Sequence, residues 1–453
     1  MKRALCRKAS ALLAALLLAG CAATPANPVQ TEETAEATPA PAAEEAEKTA
    51  AAPTLRELTT VADGRCYLQS RIDDTAQIYL TTLDLTDGQQ RVLCAKPGCT
   101  HSDESCWGRM LGNGVAQPKT VEVYTDGVRL YWILLTEYSH FSIGGVEPES
   151  AIFVTDLTGA SCPPAQMLAG TPNYGGDFLQ DNSYMDSRWF TDGETLWALV
   201  NSNPVEETGR QTMTTTLFHF VPAPAGSEVP YTARVVWQQG GDHGIDCMGL
   251  LDGQILLRLP VSGAGVGDFE LRLLSADGTL GEPLLTYRDS DFREAVLLDG
   301  LWYTVPKDST DLQCTDLRAG QTRTLCTLPL TQTPLDIQAG PAYEGWLVVD
   351  VSYNLEKERY VIDTVTGSVT TLPATWTKDG VSPRAPLIRQ VAGDRCLMMV
   401  GDQDRMLTTM GQDGGTYSFN SPVPIWAVTD FGAYLDGDQD WTVCTVLDPD
   451  GNM

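Results

Sequence analysis

The sequence predicts an all-β fold: a β-propeller of four-stranded antiparallel blades, eight in number, with seven as the alternative. Three observations carry this. A β-forming run, an Asp-Gly turn and an apolar-aromatic run recur along the chain. A second alternating segment, ending in a Gly-containing turn, follows each copy. Helical periodicity is nearly absent after residue 55. Two hairpins per unit make one four-stranded blade, and units spaced about 45 to 65 residues apart fit blades with long loops. A β-sandwich or a β-solenoid is the competing arrangement.

The first hairpin of each unit appears as "TTVADGRCYL", "EVYTDGVRLYW", "RWFTDGETLWAL", "GLLDGQILL", "VLLDGLWYTV", "PAYEGWLVV" and "QVAGDRCLMMV". An eighth, weaker copy is "AVTDFGAYL" around Asp430. Asp-Gly between β-rich runs predicts type I′ turns, because both central residues need positive φ. The second hairpin recurs as "IYLTTLDLTDG", "AIFVTDLTG", "LFHFVPAPAG", "LRLLSADG", "LQCTDLRAG", "YVIDTVTG" and "MLTTMGQDG", with a truncated "TVCTVLDPDG" at the C-terminus. Eight first hairpins and an incomplete last unit give eight blades. If the last segment only caps the ring, the number is seven.

The chain opens "MKRALCRKASALLAALLLAGCAATP". Lys2, Arg3, Arg7 and Lys8 form a positive n-region, and Ala9 to Gly20 is an apolar stretch too short to span a bilayer. It ends in Leu18-Ala19-Gly20-Cys21, which resembles the lipobox of bacterial lipoproteins. The resemblance implies that residues 1–20 are a signal peptide and that Cys21 carries a diacylglycerol as the mature N-terminus. Two acyl chains hold firmly where one holds marginally, at ~0.8 kcal/mol per buried methylene. Residues 21–54 continue as Ala, Pro, Thr and Glu with little to bury, so a flexible tether is expected there. The propeller domain is then 55–453, and the location is the outer face of the cytoplasmic membrane, lipid-anchored.

The chain has 30 Lys and Arg against 59 Asp and Glu, a formal charge of −29. Losing the four n-region cations makes the mature chain more acidic still. This excludes nucleic acid as a partner, since its phosphates need a basic footprint, and leaves the N-terminal lipid as the membrane attachment.

"CAKPGCTHSDESC" places three cysteines and one of only four histidines between Cys94 and Cys106. "RVLC" closes the outer strand of the first blade, and Pro97-Gly98 forces a tight turn on the connection that follows. Cys94, Cys99, His101 and Cys106 form a Cys3His set, a complete tetrahedral zinc shell with no open position, and therefore a structural one. A local disulfide among the three cysteines is the alternative, because exported thiols oxidise. Cys66 and Cys396 stand where sister hairpins have leucine, and with Cys314 and Cys444 they read as small buried hydrophobes.

The lipobox, tether, repeats and Cys/His loop together resemble the exported propeller lipoproteins of anaerobic Gram-positive bacteria, most of unassigned function. In that family the loop has the form Cys-x-x-Pro-x-Cys-x-His-x4-Cys. This chain keeps Pro97, Cys99, His101 and Cys106 in that order, with a first gap of Ala95-Lys96-Pro97-Gly98. The resemblance implies location and fold, and no activity.

Inter-blade loops carry propeller function. Here they combine aromatic rings with carboxylates: Tyr174, Asp177, Phe178 and Tyr184, then Asp242 and His243, then Trp376. Such surfaces suit sugars or peptides, because rings stack and carboxylates accept hydrogen bonds. No G-x-S-x-G, H-E-x-x-H or P-loop occurs, so the catalytic set is empty. "DGDQDW" lacks the Glu that a calcium loop needs at its twelfth position. The sequence therefore favours binding of a carbohydrate or protein ligand. The alternative is a propeller enzyme acting on polysaccharide or cell-wall material, whose paired carboxylates need no fixed spacing.

Overall fold

A computed structural model of the chain describes residues 52–71, 74, 79–102, 106, 108, 120–135, 151–158, 166–169, 182–204, 213–222, 225, 231–241, 245–261, 267–334, 336–343, 345–353, 357–372, 386–410, 415–438 and 440–446. Ala51–Met453 form one compact unit; residues 1–51, which hold the expected signal segment and all but the last three residues of the expected tether, lie outside the described residues.

A short strand, β1 (Arg56–Glu57), leads in. Blade 1 is β2 (Val61–Ala62), β3 (Arg65–Ser70), β4 (Tyr79–Asp84) and β5 (Gln89–Val92). Blade 2 is β6 (Thr120–Thr125), β7 (Arg129–Leu135), β8 (Ala151–Asp156) and β9 (Gln166–Ala169). Blade 3 is β10 (Asn182–Thr191), β11 (Leu196–Pro204), β12 (Met213–Pro222) and β13 (Tyr231–Gly241). Blade 4 is β14 (Asp246–Leu251), β15 (Gln254–Pro260), β16 (Asp268–Leu274) and β17 (Leu285–Arg288). Blade 5 is β18 (Phe292–Leu298), β19 (Leu301–Pro306), β20 (Asp311–Asp316) and β21 (Gln321–Thr327). Blade 6 is β22 (Asp336–Tyr343), β23 (Trp346–Ser352), β24 (Lys357–Asp363) and β25 (Val369–Leu372). Blade 7 is β26 (Leu387–Ala392), β27 (Arg395–Met410), β28 (Thr416–Asp430) and, after helix α1 (Phe431–Leu435), β29 (Thr442–Val443). A last strand, β30 (Thr445–Val446), follows.

The protein is thus a β-propeller of four-stranded antiparallel blades, and it has seven of them. The expectation of eight fails at Asp430. That residue does not turn a hairpin: its Oδ1 accepts from the Ala433 amide at 2.9 Å, so it N-caps α1. The terminal "TVCTV" is then divided, with β29 completing blade 7 and β30 pairing in parallel with β5 of blade 1.

The apolar residues explain why this closes. Alternate strand residues point to opposite faces of a blade, so each blade offers one apolar face to each neighbour. Seven buried clusters result, each bridging two successive blades. Tyr131 and Ile133 meet Trp189 and Phe218 between blades 2 and 3. Cys66 and Leu83 meet Leu397 and Val428 between blades 1 and 7. The remaining five bridge the other pairs. Polar bonds add to the 7-to-1 seam, where Arg395 donates to the carbonyls of Leu85 and Thr86 at 2.8 and 3.1 Å.

Two turn chemistries repeat. The Asp-Gly pairs of blades 1, 4 and 5 have both residues at positive φ, from Asp299 at 50° to Gly300 at 75°, as type I′ turns require. Blades 2 and 3 differ from that expectation. Their hairpins are longer, and Asp126 and Asp192 instead accept from the amides two and three residues on. The second hairpins of blades 1, 5 and 6 share one Asp-x3-Gly design. Gly88, Gly320 and Gly367 donate to the carbonyls of Asp84, Asp316 and Asp363 at 2.8 to 2.9 Å, while each Asp carboxylate caps the turn.

The chain joins the ring from the Asp-Gly end. The Leu55 amide donates to the Gly253 carbonyl of blade 4, β1 pairs with β10 of blade 3, and Thr59 bridges Thr125 of blade 2. Only then does β2 begin blade 1. The opposite end of the ring carries the connection from a fourth strand to the next first strand where it is described, as at Asp289–Asp291 between β17 and β18.

Candidate metal centre

The connection after β5 is pinned at both ends to one residue of β4. The Leu93 amide donates to the Leu80 carbonyl at 3.0 Å, and the Leu80 amide donates to the Gly108 carbonyl at 2.7 Å. Gly108 is required by this approach, since a Cβ there would lie 2.4 Å from Val92 Cγ1. Between those ends, Lys96 to Cys99 form a turn closed by the Cys99 amide on the Lys96 carbonyl at 3.1 Å. Pro97 presets φ at the second position, and Gly98, at φ +71°, takes the third, which is the type II pattern. This turn folds Cys99 back toward Cys94.

His101 then adopts φ +55°, a left-handed conformation that few non-glycine residues take. It turns the imidazole toward Cys106, with Nδ1 3.1 Å from the Cys106 sulfur. Cys106 is buried and the other three are half-buried. One ligand atom from each of Cys94, Cys99, His101 and Cys106 lies within 4.8 Å of every other. Zinc bonds of ~2.0 to 2.3 Å imply tetrahedral edges of about 3.3 to 3.8 Å. The donors therefore stand close to the size of a tetrahedral shell, and three sulfurs with one nitrogen suit zinc chemically. Partial burial lowers the His101 pKa, which favours the neutral imidazole that ligates. A Cys3His cluster that could bind a metal is thus assembled from one loop.

The other expected site residues fare differently. Tyr174, Asp177, Phe178, Asp242, His243 and Trp376 lie outside the described residues, as does Cys162, and of Tyr184 only its place in β10 is described. Cys66, Cys314 and Cys396 are core residues, and Cys444 packs against the 7-to-1 cluster. Burial pushes the thiols of Cys66 and Cys396 up to about 11 and about 12.

A cavity of about 490 Å³ was not foreseen. It lies between blades 7, 1 and 2 and is lined by Leu68, Gln69, Tyr124, Arg389, Met399 and Trp426 among others. Blade 1 has a two-residue inner strand beside it, which no signal in the sequence announces.

No protein-family model and no curated protein matches the chain. Among solved structures it is similar to an acylaminoacyl peptidase of Pyrococcus horikoshii, with TM-score 0.43 and 12% identity over 82% of this chain and 52% of that one. It is also similar to prolyl oligopeptidase B from Galerina marginata, with TM-score 0.44 and 14% identity over 84% of this chain and 56% of that one. A third is the Dos1 propeller, with TM-score 0.35 and 10% identity over 70% of this chain and 91% of that one. The chain thus spans about half the length of the peptidases it resembles.

Proposed function

We propose that this chain is an extracytoplasmic lipoprotein, anchored through Cys21, whose propeller binds a carbohydrate or peptide ligand. In this reading the ligand meets the loop-bearing end of the ring, and a structural zinc holds the Cys94–Cys106 loop there. The observation that carries the reading is the convergence of four donors within 4.8 Å. Four protein ligands leave no position for a substrate or a reactive water, so the centre would shape a surface and not run a reaction. The support for the anchoring is the Leu18-Ala19-Gly20-Cys21 segment after a charged n-region. A tether of about 30 residues would span ~30 Å on average.

Mass spectrometry of the mature protein tests the anchor: its N-terminus should be a diacylglyceryl Cys21. Incubating the full chain with cell-wall polysaccharide and with peptides tests the binding. Retention without cleavage supports it, and released fragments would instead show an enzyme.

A further inference from the structure

The inner edge of blade 1 is incomplete. The first strands of the other six blades run six to ten residues, while β2 has two. The cause is the lead-in: the chain reaches blade 1 from the Asp-Gly end, through Thr59 beside Thr125, so the other half of that strand is never supplied. β3 is six residues long, and its inner partners stop at Thr60, whose carbonyl takes the Tyr67 amide at 2.8 Å.

The register shows which groups this leaves. Gln69 lies opposite Leu80 of β4. The Leu80 amide and carbonyl both bond outward, to Gly108 and Leu93, so Gln69 and Leu80 are a pair without mutual hydrogen bonds. Backbone groups two residues apart point to the same side. Gln69 therefore turns its N–H and C=O the way Tyr67 turns its own, toward the missing strand, where neither has a backbone partner among the described residues. The cavity of about 490 Å³ occupies this place. Leu387, Met399 and Trp426 supply apolar walls and Arg389 a charge. Arg389 is exposed, and among the described residues it forms no ion pair. What sets Arg389 apart is its place, since it is the one charged residue that lines this cavity.

We propose that this gap receives an extended peptide, which adds as a strand to the inner edge of β3 and sets a carboxylate against Arg389. The three residues Leu68 to Ser70 offer ~10 Å of edge, enough for three or four peptide residues. Main-chain bonds to Gln69 supply affinity and the apolar walls select alternate side chains, as in other strand additions. The proposal rests on the reading of the propeller as a binding module and narrows the ligand to a peptide at one place.

The test uses the full chain and a soluble pool of N-acetyl tetrapeptides, as free acids and as amides, with N-acetyltryptophan and cell-wall polysaccharide as the other probes. Free-acid peptides should bind, and Arg389→Gln should weaken them on the order of tenfold while leaving amide peptides unchanged. Hydrogen exchange over residues 65–71 should slow when peptide is bound. Gln69→Pro should abolish binding, because it removes an inward N–H and no bond to β4. If that variant misfolds, Arg389→Gln and the exchange measurement decide. Tetrapeptides that fail to bind at millimolar concentration overturn the proposal, as does binding that leaves exchange over 65–71 unaltered. N-acetyltryptophan binding where tetrapeptides do not also overturns it, in favour of a small-carboxylate pocket. Polysaccharide binding without peptide binding sinks this proposal alone, and loss of both sinks the binding module with it.

Discussion

Arg359 joins two blades, and removing its partner should cost more than removing both. It is 3% exposed, on β24 of blade 6. Its Nε and Nη2 donate to the two oxygens of Asp350 on β23, at 2.6 and 2.7 Å. Its Nη1 reaches across to blade 7, donating to the Pro386 carbonyl and, at 3.5 Å, to the Tyr434 hydroxyl. The perturbation is Asp350→Ala. Breaking a buried pair from one side costs ~3–5 kcal/mol, because a desolvated charge is left behind. The Asp350 side chain is 29% exposed against 4% for Arg359, so water can replace part of the carboxylate, and the carbonyl contact stays. That places the expected loss at about 2–3 kcal/mol. Adding Arg359→Met to Asp350→Ala should then restore stability, since the stranded charge is gone and an apolar chain takes its volume. Urea unfolding followed by tryptophan fluorescence compares the midpoints. A double variant less stable than Asp350→Ala alone would refute the reasoning, as would an Asp350→Ala midpoint equal to that of the wild type.

Three further outcomes are expected. Burial raises the Asp126 pKa, but bonds from the Arg129 and Val128 amides and the Tyr131 hydroxyl, with the Arg129 charge, outweigh it and hold the carboxyl below its usual value; its stabilisation is full above about pH 4 and lost as pH falls through the lower folded pKa. Asp126→Asn should accordingly lessen the loss of thermal stability between pH 5 and pH 2, seen by calorimetry. Iodoacetamide at pH 8 should leave Cys66, Cys396 and Cys444 unmodified in the folded protein, since burial pushes these thiols to about 11, about 12 and about 12; peptide mass mapping reads the result, and rapid labelling of Cys396 would contradict it. Gly108→Ala should destabilise the loop by ~1–3 kcal/mol, because its Cβ would meet Val92 Cγ1 and the Leu93 carbonyl, and proteolysis between residues 94 and 108 should speed up while the blades stay intact.

The blades were legible because their hairpins are set by local chemistry. Asp-Gly turns and Asp-x3-Gly caps act within five residues, and alternation does the rest. The count was misread because Asp serves two ends equally well. In "TDFG" it caps a helix, and in "TDGV" it caps a hairpin loop. The Cys/His cluster was visible as a set of ligands, and Pro97-Gly98 announced its turn. The left-handed His101 and the docking of Gly108 on Leu80 were not visible, since both depend on contacts outside the loop. The gap in blade 1 was hidden for a similar reason. It needs Gln69 from one end of the chain with Arg389 and Trp426 from the other.

The claim that bears most weight is the closed Cys3His centre, and zinc content measured beside thiol counts addresses it most directly. In protein purified without oxygen, elemental analysis should find one zinc per chain. His101→Ala should lose that zinc as fully as Cys99→Ser does, because a three-ligand shell opens to water. A metal-free wild type with two of Cys94, Cys99 and Cys106 joined as a disulfide, or full zinc occupancy in His101→Ala, would contradict the account.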